Sequence, residues 1–208
     1  RLMYWQVYLH KTVLGAEYLL IQILKRARMI YTDSMPMPSV LRPFLSGALP
    51  EGRKALVAQY AELDDNDIMA AIKEWRKSED TTLAMLCNRL LNRNLLGVRM
   101  QDHPWTEDEM LELRKAVTEK YGISEKDARY LIFQQEISNN AYNPEKDRIN
   151  LLYKDGSLVD ITEAADQLNI SALAKTRLKH AMTFGLVDIC CIKWLSNIIL
   201  LLTCLRSL

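Results

Sequence analysis

Apolar side chains recur at steps of three and four in Val13, Leu14, Ala16, Leu20, Ile23, Leu24 and Ala27, the spacing of one face of an α-helix. Tyr18, Leu19 and Ile21 widen this stripe, which predicts a helix over 13–29 buried on more than one side. Lys25, Arg26 and Arg28 gather in its last turns, where cations complement the helix dipole. Thr32-Asp33-Ser34 and the prolines Pro36, Pro38 and Pro43 then stop it. Residues 32–52 read as an extended connector that packs through Val40, Leu41, Phe44 and Leu45.

Two further stripes have readable starts. Asp64 or Asp65 precedes Ile68, Ala71, Ile72 and Trp75, and Asp80 precedes Leu83, Leu86, Cys87, Leu90 and Leu91. In each case a carboxylate is placed to accept from the first free N–H groups of a helix. Leu95, Leu96 and Gly97 close the second of these helices and release the chain into a short strand at Val98-Arg99-Met100, an expectation the structure corrects below. Thr106 to Gly122 is a helix with acidic residues in its first turn and a glycine stop. Residues 124–133 begin with helical composition or lead directly into a strand.

The period then changes from helix to sheet. Residues 149–161 are two apolar runs joined by Lys154-Asp155-Gly156-Ser157, where Asp-Gly supplies the backbone of a tight hairpin. Tyr130 to Ile137 is a candidate third strand, and Thr162 caps a short helix, TEAADQL. From Lys175 to Leu208 the pattern is apolar, with Asp188 the one acidic residue, and predicts a C-terminal helix packed on the body or on a partner subunit. A frameshifted end and a membrane anchor are the competing readings of this tail. The run Ile198–Leu202 is far below the roughly 20 residues a membrane span needs.

The expected fold class is therefore mainly α, a helical body with a small antiparallel β element, the hairpin, in the C-terminal half. Three regions follow: a helical part over 1–100, an α+β subdomain over 101–174 and the apolar tail over 175–208.

Composition narrows the function only slightly. The 27 basic and 26 acidic side chains nearly cancel, so any anion site is a local cluster, and neither a nucleic-acid partner nor a membrane is indicated. Cys87, Cys190, Cys191 and Cys204 form no CxxC pair of the zinc or redox kind, which points to a reducing, cytoplasmic compartment. The sequence starts at Arg1, inside a helix-like pattern and without an initiator Met, the expectation for a fragment or processed product.

His10, His103 and His180 are far apart, and no HExxH, glycine-rich phosphate loop or GxSxG elbow occurs. Asp64, Asp65 and Asp67 are the densest carboxylate cluster and read as a helix start rather than a metal site. The head of the first helix, with Trp5, Tyr8, His10 and Lys11, has a competing functional reading. The stretch from Tyr4 to Arg28 reads as a helix with an aromatic, cationic head, so Tyr8 and Lys11, one turn apart, share a face and a ring for a base or sugar stands beside a Lys and a His for phosphate oxygens. The structural reading puts Tyr8 in the core and leaves the other two capping an exposed edge; spacing alone favours it.

The segment YLHKTVLGAEYLLIQILKRA resembles the deoxynucleoside triphosphate triphosphohydrolases of the HD-domain phosphohydrolases, in which a Tyr-Gln-His-Lys tetrad opens a helix of the same apolar pattern. LDDNDIMAAI resembles the family's next helix after the connector, and LLNRNLLGVRM its Arg-Asn-Leu turn leading to a strand. With the hairpin, the similarity covers residues 1–174. A bacterial branch of HD-superfamily hydrolases is more similar still.

This resemblance implies the C-terminal part of a metal-dependent nucleotide phosphohydrolase that contributes a wall of the substrate pocket and an oligomer interface. The family's H…HD…D metal set precedes the tetrad and is not in this sequence, so the divalent metal is expected in an N-terminal part and no catalytic residue or metal ligand in this chain. By the same resemblance Tyr8 lines a sugar pocket, His10 and Lys11 contact phosphates of a dNTP-like nucleotide bound between subunits of a homo-oligomer, and Arg93 contacts a further, regulatory nucleotide. Leu9 stands where the tetrad has Gln, and Gly97 where the mammalian enzyme has a Lys that helps hold the regulatory nucleotide. The alternative function is a non-enzymatic helical protein-interaction module docking through the first helix and the tail.

Overall fold

A computed structural model describes residues 7–138, 149–160 and 178–190, with the backbone alone at 178, 184 and 186–190. The first stripe forms helix α1 (Lys11–Met29), with Leu14, Ala16, Tyr18, Leu19, Leu20, Ile23, Leu24 and Ala27 all buried. Its terminal cations divide: Lys25 and Arg28 stay exposed, while Arg26 turns inward. From Nε and Nη2, Arg26 donates to both carboxylate oxygens of Asp80 at 3.1 and 2.7 Å, and from Nη1 to Asp127 at 2.7 Å. The Tyr130 ring stands 5.4 Å from the guanidinium.

The aspartates behave as the stripes predict. Asp64 caps α4 (Asp65–Trp75) and exchanges bonds reciprocally with Asp67, and Asp80 caps α5 (Thr81–Leu91) by accepting from the Leu83 N–H at 2.7 Å. Asp80 thus both starts α5 and holds the end of α1, which makes the two helices antiparallel neighbours. The connector is not extended throughout. Pro43 sits in the first turn of a short helix, α2 (Arg42–Ser46), Gly47 ends it in the left-handed region, and Leu41 and Leu45 are buried. A third helix, α3 (Arg53–Glu62), has no buried residue. The indole of Trp75 donates to the Pro36 carbonyl at 2.8 Å and fastens the connector to α4.

Thr106 and Glu109 exchange capping bonds at the start of α6 (Glu107–Tyr121), and Gly122 closes it at φ 63°. Residues 124–133 resolve into one helical turn, α7 (Glu125–Ala128), followed by a strand that starts at Gln134 rather than Tyr130. Strands β1 (Asn94–Gln101), β2 (Gln134–Ser138) and β5 (Leu178–Cys190) form an antiparallel sheet in the order β1-β5-β2. Helix α5 ends at Leu91 and the chain turns at Arg93, so Leu95, Leu96 and Gly97 are strand residues, which corrects the expectation that they close that helix. The predicted hairpin forms a separate pair, β3 (Asn150–Leu152) with β4 (Leu158–Asp160), and Gly156 takes φ 84° in its turn. The helix predicted at Thr162 and the run Ile198–Leu202 lie outside the described residues.

The tail expectation is corrected where the chain is described. Leu178–Cys190 is the central strand of the sheet, not a helix. Thr183, Val187 and Ile189 favour extended backbone, and strand pairing on both edges outweighs any helical tendency of the segment. Leu95 pairs with Ile189 but Gly97 with Phe184, so β5 bulges opposite Leu96. The Gly185 carbonyl lies within the bulge. Tyr121 Oη donates to it at 2.6 Å and the buried Arg89 Nη2 at 3.1 Å.

Helices and sheet close over one large apolar cluster, and a smaller one of Leu14, Tyr18, Val98, Ile137 and Ala181 joins α1 to the sheet face. The two elements approach most closely at Gly15, where an added Cβ would stand 2.6 Å from the Leu96 carbonyl oxygen. Backbone cannot swing aside as a side chain can, so Gly15→Ala is expected to cost about 1–3 kcal/mol in urea denaturation. An unchanged midpoint would refute the close crossing.

The Arg26 cluster sets a pH response. Burial pushes the Asp80 carboxyl up, but the bonds from Arg26 and the Leu83 N–H outweigh it and hold its pKa below the ordinary value. A carboxyl depressed on folding adds stability that is complete above the unfolded pKa, near ~3.9, and is lost as pH falls through the folded one. Asp80→Asn is therefore expected to lower stability by about 2 kcal/mol at pH 7. Its denaturation midpoint should also fall less steeply than the wild type's on acidification below about pH 4.

Candidate functional site

The head of α1 differs from a continuous helix. Val7 and Tyr8 lie in a wide turn, and His10 is the N-cap, extended at φ −65°, ψ 136°, so the helix begins at Lys11. Tyr8 and Lys11 therefore do not share a helical face, which corrects the expectation from spacing. The structural reading of Tyr8 is corrected as well, because Tyr8 is 49% exposed and not core. His10 Nδ1 accepts from the Thr12 N–H at 3.3 Å, and Lys11 is exposed beside it. Trp5 lies outside the described residues.

Next to this head a groove runs between α1 and β2. It holds about 610 Å³, within the range of small-molecule sites. Leu9 stands at the end nearest the head, Tyr18, Phe133 and Ile137 give it apolar surface, and Glu17 and Lys25 are charged groups on the α1 side. Tyr18 and Phe133 meet edge to face at 5.8 Å. Burial pushes the Glu17 carboxyl up. Burial, and then the Glu17 charge, push the Tyr18 phenol well above its usual range. Sequence reasoning took α1 as a core stripe, read Lys25 as a helix-end cation and passed over Glu17. Their spacing of two turns, with Ile21 between, was the available signal, since positions four apart line up along one side of a helix.

Arg93 enters from the other side. It is exposed, in the turn between α5 and β1, with φ 58°, the one described non-glycine residue in the left-handed region. Its N–H closes α5 on the Leu90 carbonyl at 3.1 Å, a position where glycine is the usual choice. Keeping an Arg there costs about 1 kcal/mol or more of backbone strain. Arg93 precedes Leu96 by three residues and Lys11 precedes Gly15 by one turn, Gly15 and Leu96 being where α1 and β1 approach most closely. His10 and Lys11 thus adjoin at the start of α1 and Arg93 stands in the turn before β1, while Leu9 is the residue of the head that lines the groove.

No group of three or more His, Cys, Asp or Glu among the described residues could hold a metal ion. The carboxylates that cluster are committed elsewhere, Asp64 and Asp67 to a capping box and Asp80 and Asp127 to Arg26. These residues do not fit a divalent ion. The Cys87 thiol is buried and pushed up to about 12, so it offers no thiolate nucleophile. No helix among the described residues is long and apolar enough to cross a membrane.

This architecture, helices packed on a small antiparallel sheet with α1 against β1 and β2, is similar to that of a phosphohydrolase. The likeness is to a crystal structure of a phosphohydrolase from Bacteroides thetaiotaomicron VPI-5482, with a TM-score of 0.74 and 36% identity over 88% of this chain and 47% of that one. The chain is also 36% identical over 93 residues, 45% of its length, to the uncharacterized protein YwfO of Bacillus subtilis (strain 168), of which the match covers 21%. The chain thus spans less than half the length of either relative it matches. No family model matches it.

The groove carries one test of its own. A carboxyl raised on folding costs stability when ionised, a cost that appears as pH rises through the folded pKa and is absent below the unfolded value near ~4.3. Glu17→Gln is expected to raise the denaturation midpoint at pH 7, with the difference closing below about pH 4. A midpoint lowered at pH 7 would show that the Glu17 carboxylate has a favourable partner.

Proposed function

We propose that this chain is part of an HD-superfamily nucleotide phosphohydrolase of the deoxynucleoside triphosphate triphosphohydrolase kind. It supplies a wall of the substrate pocket and a face of a homo-oligomer, and the catalytic divalent metal is held by residues beyond those of this sequence. The observation that carries the reading is the likeness to a phosphohydrolase at 36% identity over 88% of the chain. The site supports it in kind. His10 and Lys11 are exposed and consecutive at the start of α1, Leu9 just before them lines the groove, and Arg93 is an exposed cation held in a left-handed turn between α5 and β1. In this reading Tyr8 meets the sugar, Lys11 and His10 meet phosphate oxygens, and Arg93 meets a further nucleotide.

A non-enzymatic interaction module is the second reading. It draws on the hairpin, where Leu152 and Leu158 are 72% and 65% exposed on the same face of a cross-strand pair. A monomer by light scattering at high concentration would count against both the module and the oligomer.

The decisive assay uses the longest natural open reading frame that contains this sequence, with each dNTP and Mn²⁺, Mg²⁺ or Co²⁺. Metal-dependent release of phosphate or triphosphate is expected. Lys11→Ala should lower kcat/KM about ten- to a hundredfold, the value of one charge-assisted phosphate contact. Arg93→Gly should relieve backbone strain and leave folding intact or slightly improved while weakening nucleotide binding. A parent inactive on every nucleotide with all three metals would overturn the proposal.

A further inference from the structure

The groove between α1 and β2 has two unlike walls. On one side Leu14, Glu17, Tyr18, Ile21, Gln22 and Lys25 follow one another at helical steps along α1. On the other, Phe133 and every residue of β2 line it. Side chains of a strand point alternately to opposite faces, so an unbroken run of lining residues means that the backbone itself forms this wall. Strand β5 pairs with one edge of β2, and among the described residues no strand pairs with the other. An open strand edge beside a helix is a setting in which an extended peptide adds to a sheet, its main chain on the edge and its side chains against the helix.

The helical wall holds polar groups that lack partners. Tyr18 and Gln22 are only 6% and 8% exposed, and Glu17 is half-buried. Among the described residues no hydrogen bond reaches the side chain of any of the three. Burial pushes the Glu17 carboxyl up, and no bond or opposite charge offsets it. Buried polar side chains are seldom left in this condition. The amide groups and a cationic side chain of a peptide supply what these three lack.

Spacing and direction define the peptide further. Glu17, Ile21 and Lys25 stand at successive turns of α1, with the two charges about 12 Å apart along the axis. In an extended chain residues four apart share a face and are separated by about 13 Å, with one more between them on that face. Tyr130, ahead of β2, lies 5.4 Å from the Arg26 guanidinium, whereas Ile137 near the end of β2 packs with Leu14 and Tyr18. Strand β2 therefore runs antiparallel to α1. A strand added antiparallel to β2, the more stable pairing, runs in the same direction as α1. We propose that the groove binds an extended peptide of the pattern basic-x-apolar-x-acidic, read from its N-terminus, as an added strand on β2. Its basic side chain meets Glu17, its apolar one Ile21 and its acidic one Lys25. None of Tyr8, His10, Lys11 or Arg93 lines the groove, so the peptide and the nucleotide readings stand or fall separately.

The test uses the longest natural open reading frame that contains this sequence and two fluorescent peptides of one composition, Lys-Thr-Val-Thr-Glu and its reverse, Glu-Thr-Val-Thr-Lys, each blocked at both ends. Anisotropy titration at low salt is expected to show the first binding about tenfold or more tighter than the second, because the reverse order sets like charges together at both ends. The double variant Glu17→Lys/Lys25→Glu should invert that preference, a result that an unfolded variant cannot give. Amide hydrogen exchange at Gln134–Ser138 should slow when the first peptide is bound. Failure of the wild type to bind either peptide, equal affinity for the two, or a preference that survives the charge swap overturns the proposal. So does binding that leaves exchange in β2 unchanged, which would put the peptide elsewhere on the molecule.

Discussion

One guanidinium fixes the relation among segments far apart in sequence. Arg26 reaches Asp80, 54 residues away, and Asp127, 101 residues away, with three donors of a rigid planar group. One cation between two carboxylates leaves a net negative charge in a partly buried place. Asp80 is the cap of α5 and Asp127 lies in the first turn of α7, so the positive ends of two helix dipoles offset it. The orientation of α5 then determines where β1 starts, and that of α7 where β2 starts. Both outer strands of the sheet are placed from this cluster.

The same arrangement explains why the head of α1 is open while the rest of the helix is fixed. Arg26 holds the C-terminal end, and the glycine crossing at Leu96 holds the first third against β1. Beyond that crossing the His10 cap orders the first turn, and Lys11 is exposed to solvent. A rigid helix ending in exposed polar groups beside a half-apolar groove is suited to presenting donors at a fixed place. Arg93 meets that need differently, accepting backbone strain so that a guanidinium occupies a helix-closing turn.

What was legible in the sequence was local. The stripe of α1, the aspartate caps of α4 and α5, the Thr106 start and Gly122 stop of α6 and the Asp-Gly hairpin depend on neighbours within a few residues, and each appears as read. Non-local pairing was not legible. The strand character of Leu178–Cys190 comes from partners at Asn94–Gln101 and Gln134–Ser138, and its polar residues, Lys179, His180, Thr183 and Asp188, follow no period of two that would reveal it. Helix α3 buries nothing and so writes no stripe. At the candidate site, residue types pointed to His10, Lys11 and Arg93, but the extended backbone of His10 and the left-handed turn of Arg93 were hidden. Nor could spacing show that Arg26, among three adjacent cations, was the one turned inward.

The position of β5 in the chain has a consequence for how the molecule is made. The central strand is the last described element to be synthesised, and both strands it joins precede it by dozens of residues. Until it emerges from the ribosome, β1 and β2 are separate ribbons with unpaired edges, and the buried Arg89 lacks the Gly185 carbonyl that receives it. The helical layer can form early from local contacts, but closure of the sheet waits until β5 has been made. During that interval the nascent chain exposes two strand edges to any other extended segment nearby.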